Sequence, residues 1–283
     1  MKTRMTLTGV FLIMISPFAR AEWLFDGESS AFYNSNLSNS DRSADVKDDW
    51  AWVNDARAAN AFQLSRDLRL NIAADLRSQI WDQYYEFNEI GSGVSVGLRY
   101  RFGLGRLAPW VLLENRVGYD DWFRETVRSG WSESLRFRGG IFLSDRIALE
   151  AGYRFDNFAA PDDFFDQQSH RADVRLSFDV SSALRVSLGY VYREGDVISY
   201  AVPPRPDIVW LAEAVREDED TFGGHPPYNA YKLLGRTHAL SVSAAYALTK
   251  RWSVGLSYEY AVTRHDPLQY ENHLVQTRVA FAY

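Results

Sequence analysis

The sequence predicts an all-β fold, a transmembrane antiparallel up-and-down β-barrel of about twelve strands, from three observations. Apolar residues recur at every second position in segment after segment. Those segments are long enough to cross a bilayer, and the connections between them alternate between short and long.

The period comes first. In "LRLNIAADLRSQI", Leu68, Leu70, Ile72, Ala74, Leu76, Ser78 and Ile80 share one face, with Arg69, Asn71, Ala73, Asp75, Arg77 and Gln79 on the other. In "IGSGVSVGLRYRF", Ile90, Val94, Val96, Leu98, Tyr100 and Phe102 oppose Gly91, Gly93, Ser95, Gly97, Arg99 and Arg101. The same alternation returns in "HRADVRLSFDV", "LRVSLGYVY", "HALSVSAAYAL" and "WSVGLSYEY". A helix needs a 3.6-residue period, which none of these has. Tilted strands of about nine to eleven residues span a bilayer, whereas strands of soluble sandwiches average about five or six.

The connections follow. Short ones carry "SRD" from Ser65, "GLGRLAP" from Gly103, "SDR" from Ser144, "SSA" from Ser181 and "TKR" from Thr249. Long ones are expected near 37–49, 82–88, 120–129, 157–168, 194–235 and 261–270. Short turns at one rim and long loops at the other mark barrels whose loops face outward and whose turns face the periplasm. The first two strands, about 23–36 and 50–64, carry the weakest pattern, because "DARAANAFQL" alternates poorly.

Composition agrees. The chain has no cysteine, so an exported fold must be held by a large core or a closed hydrogen-bonded sheet. It has nine Trp, sixteen Tyr and seventeen Phe, yet its mean hydropathy is −0.30. Tyr100 and Phe102, Tyr153 and Phe155, Tyr190 and Tyr192, Tyr258 and Tyr260, and Trp252 fall near strand ends on the apolar face, as interfacial girdles do. At the N-terminus, "MKTRM", the apolar "TLTGVFLIMISPF" and "ARA" have the order of a secretory signal peptide over residues 1–21. Its removal takes away Lys2, Arg4 and Arg20 and changes the formal charge from −6 to −9, which disfavours nucleic acid as a partner.

With its signal peptide, alternating strands and aromatic-ended last segment, the chain resembles bacterial outer-membrane β-barrel proteins of Gram-negative cells. The resemblance is architectural and covers residues 22–283. It implies residence in the cell outer membrane, among outer-membrane lipid and lipopolysaccharide. In that class the last strand resembles the signal read by the barrel-assembly machinery. Here it maps onto Val275, Val279, Phe281 and Tyr283, with Thr277 the weak position. In size and strand number the chain is similar to small monomeric porins of the oligogalacturonate-porin type and to the outer-membrane phospholipase type. That implies a monomer.

If one face meets lipid, the other lines a lumen. The expected inward set is Arg69, Arg77, Arg99, Arg101, Arg136, Arg138, Arg154, Arg171, Arg175, Arg185 and Arg278, against Asp75, Glu114, Glu150, Asp173, Asp179 and Glu259. Acidic residues concentrate instead in loops, at "DVKDD", Asp120 and Asp121, "PDDFFD" and "EDED". A basic wall favours passage of small anionic solutes, as charged rings do in pores. A lumen filled by arginine–carboxylate pairs would instead stabilise a non-conducting structural or binding barrel. No D-x-D-x-D-G loop is present, so no metal site is assigned, and nothing indicates a cofactor.

Within 194–235, Asp207 is expected to cap a short helix with an apolar stripe of Ile208, Val209, Leu211, Ala212 and Val215, folded over the mouth. An outer-membrane lipid hydrolase would need a nucleophile, a base and an orienting group on one wall. Ser169 and His170 are adjacent and point to opposite faces, and no partner can be placed for the loop residues His225 and His265. No catalytic residue is assigned.

Overall fold

The computed structural model describes residues 23–223, 226–266 and 268–283. The expected signal peptide and the loop residue His225 lie outside the described residues. Twelve strands close one antiparallel barrel: β1 Trp23–Asn34, β2 Asp49–Gln63, β3 Leu68–Trp81, β4 Glu89–Arg101, β5 Trp110–Trp122, β6 Gly130–Phe142, β7 Ile147–Ala159, β8 Gln167–Asp179, β9 Leu184–Ala201, β11 Tyr228–Ala247, β12 Trp252–His265 and β13 Leu268–Ala282. A thirteenth strand, β10 Ala214–Glu219, lies within the longest loop and pairs with the start of β11. Every neighbour in the wall is a sequence neighbour except at β9, which pairs with β11, and at the closure of β13 on β1.

Closure leaves no free edge for the twelve. Phe281 stands opposite Gly27 and Val275 opposite Tyr33. The seam ends with Phe25 and Tyr283 exchanging backbone hydrogen bonds of 3.1 and 2.9 Å. A 13-residue strand such as β4 rises about 43 Å along itself, hence about 35 Å along the axis at a tilt of about 35°. That is enough to cross the hydrocarbon core of a bilayer, about 30 Å thick.

The burial pattern is inverted relative to a soluble protein. Leu188 is 56% exposed and Leu240 61%, with Val94, Leu113, Phe137, Val174 and Leu256 likewise on the outer wall. No helix among the described residues is long and apolar enough to cross a membrane; the strands do the crossing. On the outer wall three histidines recur in one arrangement. Tyr153 Oη is 2.7 Å from His170 Nδ1, Tyr190 Oη 2.7 Å from His238 Nδ1, and Tyr258 Oη 2.8 Å from His273 Nδ1. Each histidine stands opposite the second aromatic of its partner strand: Phe155, Tyr192 and Tyr260. The register row through His170 runs to Glu194 and Arg236, two residues short of His238. The row through His238 runs to Val262 and Glu271, two short of His273. A drift of one residue per strand, about 3.3 Å in 4.8 Å, is the slope of a strand tilted by about 35°. The three pairs therefore share one level around the barrel.

Two expected loops are corrected. Residues 194–235 are not a free loop, because β9 continues to Ala201 and β11 begins at Tyr228. The two strands stay paired above the wall, from Gly195 opposite Gly235 to Ala201 opposite Asn229. Near 261–270, β12 and β13 continue to His265 and Leu268, leaving a tight connection where a long one was expected. The helix α1 is one turn, Pro206–Val209, with Asp207 inside it and Arg205 at its N-cap. Ile208, Leu211, Ala212 and Val215 do pack together, against Ala201, Tyr231 and Leu233, but Val215 belongs to β10 and Val209 is exposed.

Candidate functional site

The inside of the barrel divides into a charged lumen and a cap. A central cavity of about 590 Å³ is lined on one side by Arg57, Asp75, Arg77 and Arg116, and on the other by Arg136, Arg154 and Arg193. On the β2–β5 side charges meet. Arg116 of β5 reaches across β4 to Asp75 of β3, with Nη2–Oδ2 at 2.6 Å and Nε 3.1 Å from both oxygens. The guanidinium lies flat over Gly93, where a Cβ would come within 2.6 Å of it. Only glycine leaves that crossing open. Glu114 takes Arg57 at 3.7 Å and Arg136 at 3.5 Å.

On the β6–β9 side the register produces a different pattern. Arg136 stands directly opposite Arg154, Arg154 opposite Arg171, and Arg171 opposite Arg193. Four guanidinium-bearing positions thus follow one another across four strands. Arg154 is held by Asp156 at 2.7 Å, and Arg193 donates to the backbone oxygen of Asp196 at 2.9 Å. Arg138 lies one inward position and Arg175 two inward positions nearer the turn rim, with Arg138 opposite Gly152 and Arg175 opposite Glu150.

The remaining candidates lie elsewhere. Arg77 lines the main cavity and donates to Gln79 at 3.1 Å. Arg69 and Arg99 are opposite each other near the turn rim, where Arg99 stacks on Trp110 at 4.4 Å and Arg101 stands opposite Trp110. Arg185 is bound to Asp179 at 2.6 Å at the same rim. Arg278 lies over Gly255, 3.8 Å from Glu28. Arg57, Arg116 and Arg193 were missed. Arg116 and Arg193 follow the same alternation and were readable; Arg57 sits in the poorly alternating "DARAAN". Val275, Val279 and Phe281 share the outer face of β13, and Arg251 stacks on the Tyr283 ring at 4.5 Å.

The cap closes over the loop rim and is built from a repeated module. Loops 82–88, 123–129 and 160–166 each make a 3₁₀ turn, Tyr85–Phe87, Thr126–Arg128 and Asp163–Phe165. In each, the residue after the turn reaches back to the end of the preceding strand. Asn88 accepts from Trp81 N at 2.7 Å, Ser129 from Trp122 N at 2.9 Å, and Asp166 from Ala160 N at 2.7 Å. The last residue of every turn, Phe87, Arg128 or Phe165, is thereby buried. A fourth 3₁₀ turn, Asp220–Phe222 after β10, adds Phe222, which packs on Tyr84, Phe87, Tyr200 and Tyr228.

Arg128 joins these loops. Its guanidinium lies 4.7 Å from the Phe165 ring centre and within 5.8 Å of those of Phe87, Trp122 and Tyr200. It donates to Glu219 at 3.0 Å and Thr221 at 2.6 Å, all three being nearly inaccessible. Burial pushes the nearby Glu125 carboxyl up, with Arg128 opposing the shift. A second pin, fully buried Arg205, holds Asp41 at 2.9 Å and Asp207 at 2.8 Å. Its hydrogen bonds hold the Asp207 carboxyl below the usual carboxylate range. Below the cap a cavity of about 400 Å³ is lined by Trp122, Arg128, Phe165, Tyr200 and Arg193; Gln167 and Arg193 line it and the main cavity alike.

The four described histidines do not build a hydrolytic constellation. Three are bonded to tyrosines on the outer wall, and His265 Nδ1 is 2.6 Å from the backbone oxygen of Leu234. No group of three or more potential metal ligands occurs among the described residues.

No protein-family model matches the sequence, and no curated protein matches it. Solved structures do match the fold. An outer-membrane channel from Pseudomonas putida F1 superposes with a TM-score of 0.61 at 11% identity, over 95% of this chain and all of that one. The CymD monoaromatic hydrocarbon channel gives 0.48 at 10% identity, over 93% of this chain and 89% of that one. The NanC porin gives 0.46 at 12% identity, over 90% and 98%. The last two are too distant to carry an argument. Inverted burial, closure without edges and the first of these neighbours define the class: a twelve-stranded β-barrel of the bacterial outer membrane.

Proposed function

We propose that this barrel is a channel for small anionic solutes. The observation that carries the proposal is the row Arg136–Arg154–Arg171–Arg193. Like charges directly opposite on a sheet destabilise it, and at about 5 Å in a partly dry lumen the repulsion is larger than in water. Two of the four have acid partners, Arg136 in Glu114 and Arg154 in Asp156; Arg171 and Arg193 have no carboxylate oxygen within 4.0 Å among the described residues, whereas the β2–β5 wall pairs its charges. The row therefore keeps a net positive charge, which supports attraction of anions. In planar bilayers the purified protein is expected to give stepwise conductance, with a reversal potential in a salt gradient on the anion side. Cation selectivity would sink the anionic reading, and a silent bilayer at high voltage and high salt would remove the channel.

A second reading, a non-conducting binding or structural barrel, is favoured by the aromatic cap over the loop rim. The same recordings decide between them. The functional proposal includes residues 1–21 as a cleaved signal and Val275, Val279, Phe281 and Tyr283 as the assembly signal. It also includes loops facing outward to lipopolysaccharide and a monomer in the membrane.

A further inference from the structure

We propose that a small recess in the wall between β6 and β11 is a binding site for one tetrahedral oxyanion of the phosphate class. The site rests on the channel reading only in that solute must reach the lumen. The recess holds about 140 Å³ and is bordered by five arginines: Arg136, Arg138, Arg154, Arg171 and Arg175. Two carboxylates, Asp173 and Glu259, share its lining. Arg136 and Arg154 have their own acid partners, Glu114 and Asp156. Arg138, Arg171 and Arg175 have no carboxylate oxygen within 4.0 Å among the described residues, so three guanidiniums face the recess without an ion pair.

A second observation is independent of charge. Arg138 Nε is buried and has no hydrogen-bond partner. No protein acceptor therefore fixes this nitrogen of the guanidinium, and anionic oxygens are the acceptors that a guanidinium fork fits best. A third concerns shape. Gly189, opposite both Arg175 and Ser241, forms part of the lining, and a Cβ there would come within 2.5 Å of Ser241 Oγ. A side chain at this position would fill the recess.

Size and chemistry then select the ligand. The space equals about five waters by their share of the liquid, which suits the five heavy atoms of phosphate. Planar, permanently charged guanidiniums arranged around a compact volume favour a doubly charged tetrahedral anion over chloride. Ser241 supplies a hydroxyl donor at the same border.

Titration calorimetry of the full chain in detergent, with inorganic phosphate in a phosphate-free buffer at pH 7.5, tests the site. Saturable binding at one phosphate per barrel is expected. Arg138→Gln and Arg175→Gln are each expected to weaken it at least tenfold, and Gly189→Val to abolish it. Arg66→Gln, in the turn after β2 and outside both the recess and the inward set, should leave it within twofold. Heat-modifiable migration on gels establishes that each variant is a closed barrel. Where one glutamine variant does not close, the other and Gly189→Val carry the test. No saturable binding by the wild-type chain, or binding indifferent to both Arg138→Gln and Gly189→Val, overturns the site. Adding glycerol 3-phosphate separates free phosphate from a phosphate monoester: competition assigns the shared group, and no competition restricts the site to the free ion. Phosphate binding by a protein silent in bilayers would keep the site and remove the channel. Anion-selective conductance without phosphate binding would do the reverse.

Discussion

The two halves of the lumen wall use the same residue types to opposite ends. Across β2–β5, arginine and carboxylate alternate between strands, so that Arg116 crosses Gly93 to Asp75 and Glu114 lies between Arg57 and Arg136. Across β6–β9, arginine meets arginine at four successive strands. The difference lies in register, which decides what each side chain faces. One wall pairs its charges and the other sets arginine against arginine; on the channel reading the first holds and the second attracts.

The largest effect should come from inverting the attracting wall. Arg154→Glu with Arg171→Glu is expected to lower the anion-to-cation permeability ratio at least fivefold, read from reversal potentials. Arg116→Gln, on the holding wall, should change that ratio less than twofold. Equal effects would erase the distinction between the walls. Next in size, Gly93→Val should displace Arg116 from Asp75 and destabilise the barrel by about 1–3 kcal/mol in denaturant-induced unfolding. Combined with Arg116→Met it should cost less than the sum of the two, because both remove one crossing. Full additivity would show that the glycine acts elsewhere.

Smaller effects are expected in the cap. Arg128→Gln removes one of the two arginines that hold buried Glu219, leaving Arg216, and should speed amide exchange across 219–222 and raise conductance about twofold. Unchanged exchange would detach the cap from this arginine. The smallest effect concerns pH. Asp207 is held low by Arg205, so its contribution to loop docking is complete above the ordinary carboxylate pKa of about 3.9. It is lost as pH falls through the lower folded value. Protease sensitivity of residues 202–227 should therefore be flat from neutral pH down to about 4 and rise only below it. A rise near pH 6 would point to other groups.

Much of the wall was legible because a period of two is fixed by strand geometry whatever the side chains do. Leu70 and Arg77, or Val94 and Arg99, declare their faces without any partner. Register was not legible, since nothing in "LRFRGG" indicates that Arg136 will meet Arg154 rather than Asp156. The cap was the least legible region. Phe87, Arg128, Phe165 and Phe222 sit in aperiodic segments and meet only when four loops converge. The signal that could have found it is the spacing shared by three loops, each with a 3₁₀ turn followed by Asn88, Ser129 or Asp166 returning to the strand end. The segment 194–235, expected as one long loop, contains the extensions of β9 and β11, whose pairing runs through Gly195 and Gly235.

One consequence follows from the tyrosine–histidine pairs on the outside. Tyr153, His170 and Tyr192 are chain neighbours of Arg154, Arg171 and Arg193, which point the other way. The ring keeps one height by slipping one residue per strand, whereas the arginine row follows the register, so the two meet at Arg193 and the row descends to Arg136, about 8 Å deeper over three strand steps. On the channel reading, an anion entering from the loop side descends a slope of guanidiniums instead of crossing a single ring of charge.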